Sequence, residues 1–106
     1  MLRTYIQDLK DVKDGEKVLI KGWAAHIKDL SKVKFVILRD KTGEIQAVAV
    51  KDKTPNDKFE EITKIPPESS LSIEGTLKKN KVAKIGYEVV IENFEILNKA
   101  ETPLPI

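Results

Sequence analysis

Three features of the sequence predict an all-β barrel with one short helix. Apolar, β-branched runs alternate with polar residues at the period of a strand. Breaks containing glycine and aspartate separate those runs. A single helical pattern falls between the third run and the fourth.

After an opening segment from Arg3 to Leu9, Asp14-Gly15 marks a turn before a long apolar stretch. Val18, Leu19, Ile20, Trp23, Ala24 and Ile27 make Lys17 to Ile27 the first strand. Gly22 within it predicts a bend, as in a barrel strand that curls across two sheets, and Trp23 is expected to pack inside the barrel, with an outward ring stacked on a base as the less favoured alternative. Lys28 to Lys32 is a polar break, and Val33 to Arg39 is the second strand. In Asp40-Lys41-Thr42-Gly43 the aspartate can cap a turn and the glycine can take a positive φ. Ile45 to Val50 therefore returns as the third strand of a hairpin. Thr54 is an N-cap candidate with Pro55 in the first helical position. Phe59, Ile62 and Ile65 then form one apolar face, and Pro66-Pro67 ends the helix. Leu71 to Leu77 alternates as a half-buried strand, and Tyr87 to Leu97 is the last strand.

Three strands, a short helix and two further strands is the order of a five-stranded OB-fold barrel. An SH3-like barrel usually lacks a helix at that point, and a split β-α-β fold would need a second one. The expected domain is 1–98, followed by an extended tail over 99–106 that carries Pro103 and Pro105.

The bulk properties bound the function. A chain of 106 residues, 41% hydrophobic and 34% charged, builds one small core inside a charged shell. So small a core leaves little room for a catalytic cavity, which favours a binding module over a complete enzyme. No nucleophile–base pair, phosphate-cradling glycine loop or metal cluster is legible. Cysteine is absent and His26 is the one histidine, which argues against a disulfide framework or a structural zinc site. Neither a signal peptide nor a run of membrane-spanning length is evident. A cytoplasmic protein with no membrane partner is expected.

A net charge of +2 says little, but its distribution says more. Lys21, Lys28, Lys32, Lys34, Arg39 and Lys41 face only Asp29 and Asp40 within 21–41, and Lys78, Lys79, Lys81 and Lys84 lie within an acid-free stretch, 76–87. Local basic segments matter because attraction to phosphates is screened over about 10 Å. Strand parity then selects a face. Taking Val36, Leu38, Ile45, Ala47 and Ala49 as core turns Phe35 and Gln46 outward, with Lys28, Lys34 and Arg39 nearby. An exposed ring can stack on a base, an amide can read a base edge, and the cations can hold phosphates. Taken singly, a phenylalanine in an apolar strand is more often core, a strand glutamine is more often merely solvated, and His26 is more often plain strand surface. The lysines of 78–84 likewise suit a soluble loop.

The weighing changes at Gly22-Trp23-Ala24-Ala25-His26-Ile27-Lys28-Asp29-Leu30, Lys34-Phe35-Val36-Ile37-Leu38-Arg39-Asp40 and Thr42-Gly43-Glu44-Ile45-Gln46. Together these segments resemble the amino-terminal domain of aspartyl-tRNA synthetases, closest to the archaeal branch. That family carries GWV…RDL, K-F-hydrophobic-RD and TG-hydrophobic-hydrophobic-Q segments at about these spacings. Arg3-Thr4 and the stretch from Leu97 to Pro105 look like its two ends, so the likeness covers nearly the whole chain. Asparaginyl-tRNA synthetases share much of the pattern.

The resemblance implies an OB-fold that grips a tRNA anticodon loop. Phe35 would stack on the middle anticodon base, a uridine, and Gln46 would contact anticodon bases. Lys28 would assist the grip as a point charge, where many relatives carry the planar fork of arginine. Ala24, Ala25 and His26 depart from the larger or acidic side chains common in the family. Lys84, in the loop before the last strand, is the candidate for the third anticodon base. The expected nucleic-acid-binding set is thus Phe35, Gln46, Lys28, His26, Lys34, Arg39 and Lys84. In this family ATP, magnesium and aspartate bind a later class II catalytic domain, so no catalytic residue and no cofactor are expected within this sequence. The expected partner is a tRNA anticodon loop, for aspartate with asparagine left open, and a monomer is expected. A general single-strand binder and a protein-binding OB scaffold are the competing readings.

Overall fold

The computed structural model describes residues 2–66, 68–79 and 85–98. Five strands close a barrel: β1 (Lys17–Asp29), β2 (Val33–Asp40), β3 (Gly43–Val50), β4 (Ser70–Lys79) and β5 (Tyr87–Asn98), joined side by side in the order β1-β2-β3-β5-β4 with β4 returning to β1. Every pairing is antiparallel except a short parallel junction, Ala47 with Val89 and Val48 with Val90, which seals β3 against β5. A helix, α1 (Asn56–Glu61), continues into a 3₁₀ turn, Ile62–Lys64, between β3 and β4. This is the OB-fold arrangement expected from the order of elements.

A barrel this small is filled by its own side chains. Ile20, Val36, Leu38, Ile45, Ala47, Leu71, Ile73, Leu77, Val89 and Ile91 are buried together, as the alternation in each strand requires. Phe59, Ile62 and Ile65 close one end, and Ile6 and Leu9, on a 3₁₀ segment Ile6–Asp11, belong to the same core. No helix among the described residues is long and apolar enough to cross a membrane.

Closure depends on β1, which pairs with β4 through Trp23 and with β2 from Trp23 onward. At the switch, Gly22 lies against β2: a Cβ there would sit 2.3 Å from the carbonyl oxygen of Arg39. The bend expected at Gly22 therefore has a steric reason. Two further details differ from the sequence reading. β1 runs on to Asp29, so Lys28 is a strand residue and the turn is confined to the residues after it. Thr54 does not cap α1; its buried hydroxyl accepts a hydrogen bond from Val50 N–H and donates to Ile91 O at 2.7 Å, stitching β3 to β5, while Pro55 occupies the N-cap.

The amino-terminal segment is locked at the far end of β2 by one carboxylate. Asp40 accepts hydrogen bonds from Ile6 N–H at 2.9 Å, Thr42 N–H at 2.7 Å, Thr42 Oγ1–H at 2.6 Å and Gly43 N–H at 3.1 Å. The Arg3 guanidinium and the Lys41 ammonium lie 4.5 and 5.2 Å from the centroid of the Tyr5 ring. Burial by itself would push the Asp40 carboxyl up, but the hydrogen bonds from Thr42, Ile6 and Gly43 together outweigh it and hold the group below its ordinary value.

Two outcomes follow from this architecture. Asp40→Asn should cost about 1–3 kcal/mol at pH 7, because donors are left facing a group that satisfies them poorly. Since folding lowers the Asp40 pKa, its stabilisation is complete above roughly pH 4 and is lost as pH falls through the folded value. The gap between wild type and Asp40→Asn in urea unfolding should therefore narrow toward pH 3, and a gap that stays constant would contradict the assignment. Gly22→Ala should lower stability by at least the 1–3 kcal/mol typical of overpacking, read as a fall in urea midpoint, because the obstructing atom is backbone.

Candidate nucleic-acid interface

The outer face of β1, β2 and β3 is organised in rungs of directly paired residues. Lys28 lies opposite Phe35, which lies opposite Val48. On the next rung His26 pairs with Ile37, and Ile37 with Gln46. On the third, Trp23 pairs with Arg39, and Arg39 with Glu44. Residues paired across a sheet share a face, so these side chains form one continuous surface.

A β-bulge produces this alignment. Ala24 pairs with Leu38 and His26 with Ile37, leaving Ala25 as an extra residue in β1. Were Ala25 paired in regular register, His26 would fall opposite Val36 and Lys28 opposite Lys34, with both side chains turned to the inner row. A one-residue shift reverses the facing of every later side chain. The bulge thus delivers His26 and Lys28 to the face that carries Phe35.

The face is apolar in its middle and cationic at its margins. Phe35, Ile37 and Gln46 are half-buried, His26, Lys28 and Arg39 are exposed, and Val48 is buried between its paired neighbours Phe35 and Val90. Phe35 and Gln46 sit on adjacent rungs and strands, a diagonal of roughly 7–8 Å between Cα positions, close enough to touch one nucleotide together. The Arg39 guanidinium meets the Glu44 carboxylate through Nε at 3.2 Å and Nη2 at 2.8 Å. That exposed pair is one that a phosphate could compete for.

Two expectations are corrected. Lys34 is not on this face: it is only 4% exposed, because it shares the parity of Val36 and not that of Phe35. Its ammonium donates to Phe59 O at 3.1 Å, sits 4.4 Å from the Phe59 ring centroid and lies 4.0 Å from Glu60 Oε2. It anchors α1 to the barrel and is withdrawn from any ligand on the outer surface. Trp23 is the reverse case. It is 39% exposed and lies outside the core cluster, since the inward positions beside it are taken by Gly22 and Ala24. Trp23 is the face residue that the sequence reading missed, whereas Ile37 shares the parity of Phe35 and Arg39, as strand alternation predicts. Applying the parity of Arg39 across the β1–β2 pair would have found Trp23, had the register been known. Lys84 lies outside the described residues.

A depression of about 510 Å³ opens beside the bulge, lined by Ala24, Ala25, His26, Ile27 and Asp29 of β1 and by Thr63 and Ile65. The small side chains at 24 and 25 leave this space open next to His26. Among the described residues no three His, Asp or Glu side chains converge to hold a metal ion.

Comparison with known proteins bears on this face. Residues 18–97 match the OB-fold nucleic acid binding domain family. The chain is 39% identical over 102 residues to an aspartate–tRNA(Asp/Asn) ligase of Methanopyrus kandleri, covering 96% of this chain and 24% of that protein. It is 38% identical over 107 residues to an aspartate–tRNA(Asp) ligase of Pyrococcus abyssi, covering 100% of this chain and 24% of that protein. Among solved structures, asparaginyl-tRNA synthetase from Pyrococcus horikoshii complexed with asparaginyl-adenylate superimposes with a TM-score of 0.86 at 35% identity, over 99% of this chain and 24% of that one. The chain therefore spans about a quarter of the length of these relatives. With its barrel topology and a family match over most of its length, the chain belongs to the OB-fold nucleic acid binding domain family.

Proposed function

We propose that this chain is the anticodon-binding module of an aspartate-type tRNA ligase. The observation that carries the reading is the shared outer face of Phe35, Gln46 and Lys28, turned to solvent by strand parity and the β1 bulge. Phe35 supplies a ring for one unstacked anticodon base, and Gln46, diagonal to it, supplies an amide donor and acceptor for a base edge. Lys28, paired directly with Phe35, neutralises the adjoining phosphate. His26 and Arg39 extend the polar margin on either side. Lys84, which precedes β5 in the sequence, keeps its candidate role at the third base.

The names of the relatives support the partner, since those proteins are ligases for aspartate tRNA. Activation of the amino acid and its transfer to tRNA are assigned to the part of such a ligase that this chain does not span. The isolated chain is proposed to be a monomer, and sedimentation as a stable dimer would contradict that.

The test is a titration with a stem-loop carrying the aspartate anticodon, run beside asparagine and unrelated loops. Phe35→Ala should weaken binding roughly 5- to 100-fold, the range for loss of one base stack. Gln46→Ala should weaken it less and reduce discrimination among loops. Both variants should keep the circular dichroism of the wild type, and Phe35→Ala should lower the urea midpoint only modestly, because the ring shields Val48 but lies outside the core cluster. Equal affinity of wild type and both variants would overturn the reading. Equal affinity for all loops, with a steep salt dependence, would replace it with general single-strand binding.

A further inference from the structure

We propose that Trp23 is a second base-stacking platform, binding a different nucleotide of the same RNA strand from the one stacked on Phe35. This rests on the anticodon-binding reading and extends it to a position that neither the family match nor the strand pattern assigns.

Trp23 presents 39% of its surface to solvent although it is the largest side chain type in the chain. Its backbone pairs with Arg39 and, on the other side, with Ser70 at the start of β4, so the indole stands where the outer face of β1–β2–β3 turns onto β4. Gly22 behind it cannot be enlarged without meeting Arg39 O, and Ala24 ahead of it is buried. The strand is therefore held firmly under the indole while part of the ring stays open to solvent. An exposed aromatic on a rigid strand is the arrangement that sequence-tolerant base stacking uses.

Its surroundings favour a nucleic acid over another protein surface. Lys21 precedes it on the same side of β1, Arg39 is directly opposite, and the His26 rung separates it from Phe35. Arg39 to Phe35 is four strand residues, about 13 Å, and Trp23 is one strand over, about 5 Å. The two platforms are thus roughly 14 Å apart, about four times the 3.4 Å rise of stacked nucleotides along one strand. One base cannot bridge that gap, whereas an unstacked strand can follow the continuous surface from one ring to the other. Charges suited to its phosphates border this path at Lys28, His26 and Arg39, and a strand approaching Arg39 would compete with Glu44 for the guanidinium.

Trp23 is the only tryptophan in the sequence, so its emission reports this position alone. The experiment titrates the chain with fluorescently labelled aspartate anticodon stem-loop, reading affinity by anisotropy of the label and contact by tryptophan emission. A second series uses loops with one nucleotide at a time made abasic. Emission should change in step with binding, Trp23→Ala should weaken affinity roughly 5- to 100-fold, and Trp23→Phe should retain most of it. One abasic position should weaken binding to wild type but not to Trp23→Ala, and it should differ from the position to which Phe35→Ala becomes insensitive. Unchanged emission at saturating RNA, or Trp23→Ala binding as tightly as wild type while Phe35→Ala still weakens it, would overturn the second platform and leave the anticodon reading intact. No binding of the stem-loop by wild type would overturn both.

Discussion

β1 must belong to two sides of the barrel at once, and it can do so only by pressing its backbone against β2 at Gly22. The carbonyl of Arg39 occupies the space where any side chain at 22 would begin. Before this point β1 builds the ladder with β4, and after it the ladder with β2, with Trp23 paired on both sides. The closed core, the end plugs and the outer face all take their positions from that crossing. Closure also removes exposed sheet edges, so a small, highly charged chain can carry an apolar surface patch without offering a template for edge pairing.

The same strand sets the chemistry of the surface. The extra residue at Ala25 changes the parity of β1 after the bend, so that a histidine and a lysine fall on the side of Phe35 and Gln46. The opposite parity is equally informative. Lys34, adjacent in sequence to Phe35, is turned inward and ties Phe59 O to β2, which fixes α1 across the barrel end. At the other end of the same strand Asp40 gathers donors from Ile6, Thr42 and Gly43. β2 therefore carries an anchor at each end on its inner parity and the stacking ring on its outer parity. Pinning both ends restricts the strand under Phe35, and a platform held in place loses less entropy on binding.

Much of this was legible in the sequence. Period-two alternation located the buried rows of β2, β3 and β4, the spacing of Phe59, Ile62 and Ile65 located the plug, and Gly22 located the bend. Parity also placed Phe35 and Gln46 outward. What was not legible depended on register. Charge groups Lys34 with the surface cations, although its parity matches Val36. A buried lysine is stable there only because a helix carbonyl and a ring wait above it, and neither can be read from local sequence. The size and apolar character of Trp23 point inward, yet the position before it must be glycine for β1 to cross β2, and the indole stands on the outer parity with Arg39. Thr54 resembled a helix cap, but its hydroxyl found Ile91 O on a strand 37 positions away. The bulge at Ala25 leaves no signature beyond small side chains. It appears only when two strands are aligned.

The central claim is that nucleic acid lies across β1, β2 and β3 on the side of Phe35. Amide NMR of the isotopically labelled chain, titrated with an aspartate anticodon stem-loop, tests this most directly because it reports each non-proline backbone amide without altering any residue. The expected result is shift changes concentrated at His26, Lys28, Phe35, Ile37 and Gln46, with little change at Ser72, Glu74, Asn93 and Glu95 on the opposite face of β4 and β5. Changes concentrated on that second face, with the Phe35 rungs unmoved, would contradict the account.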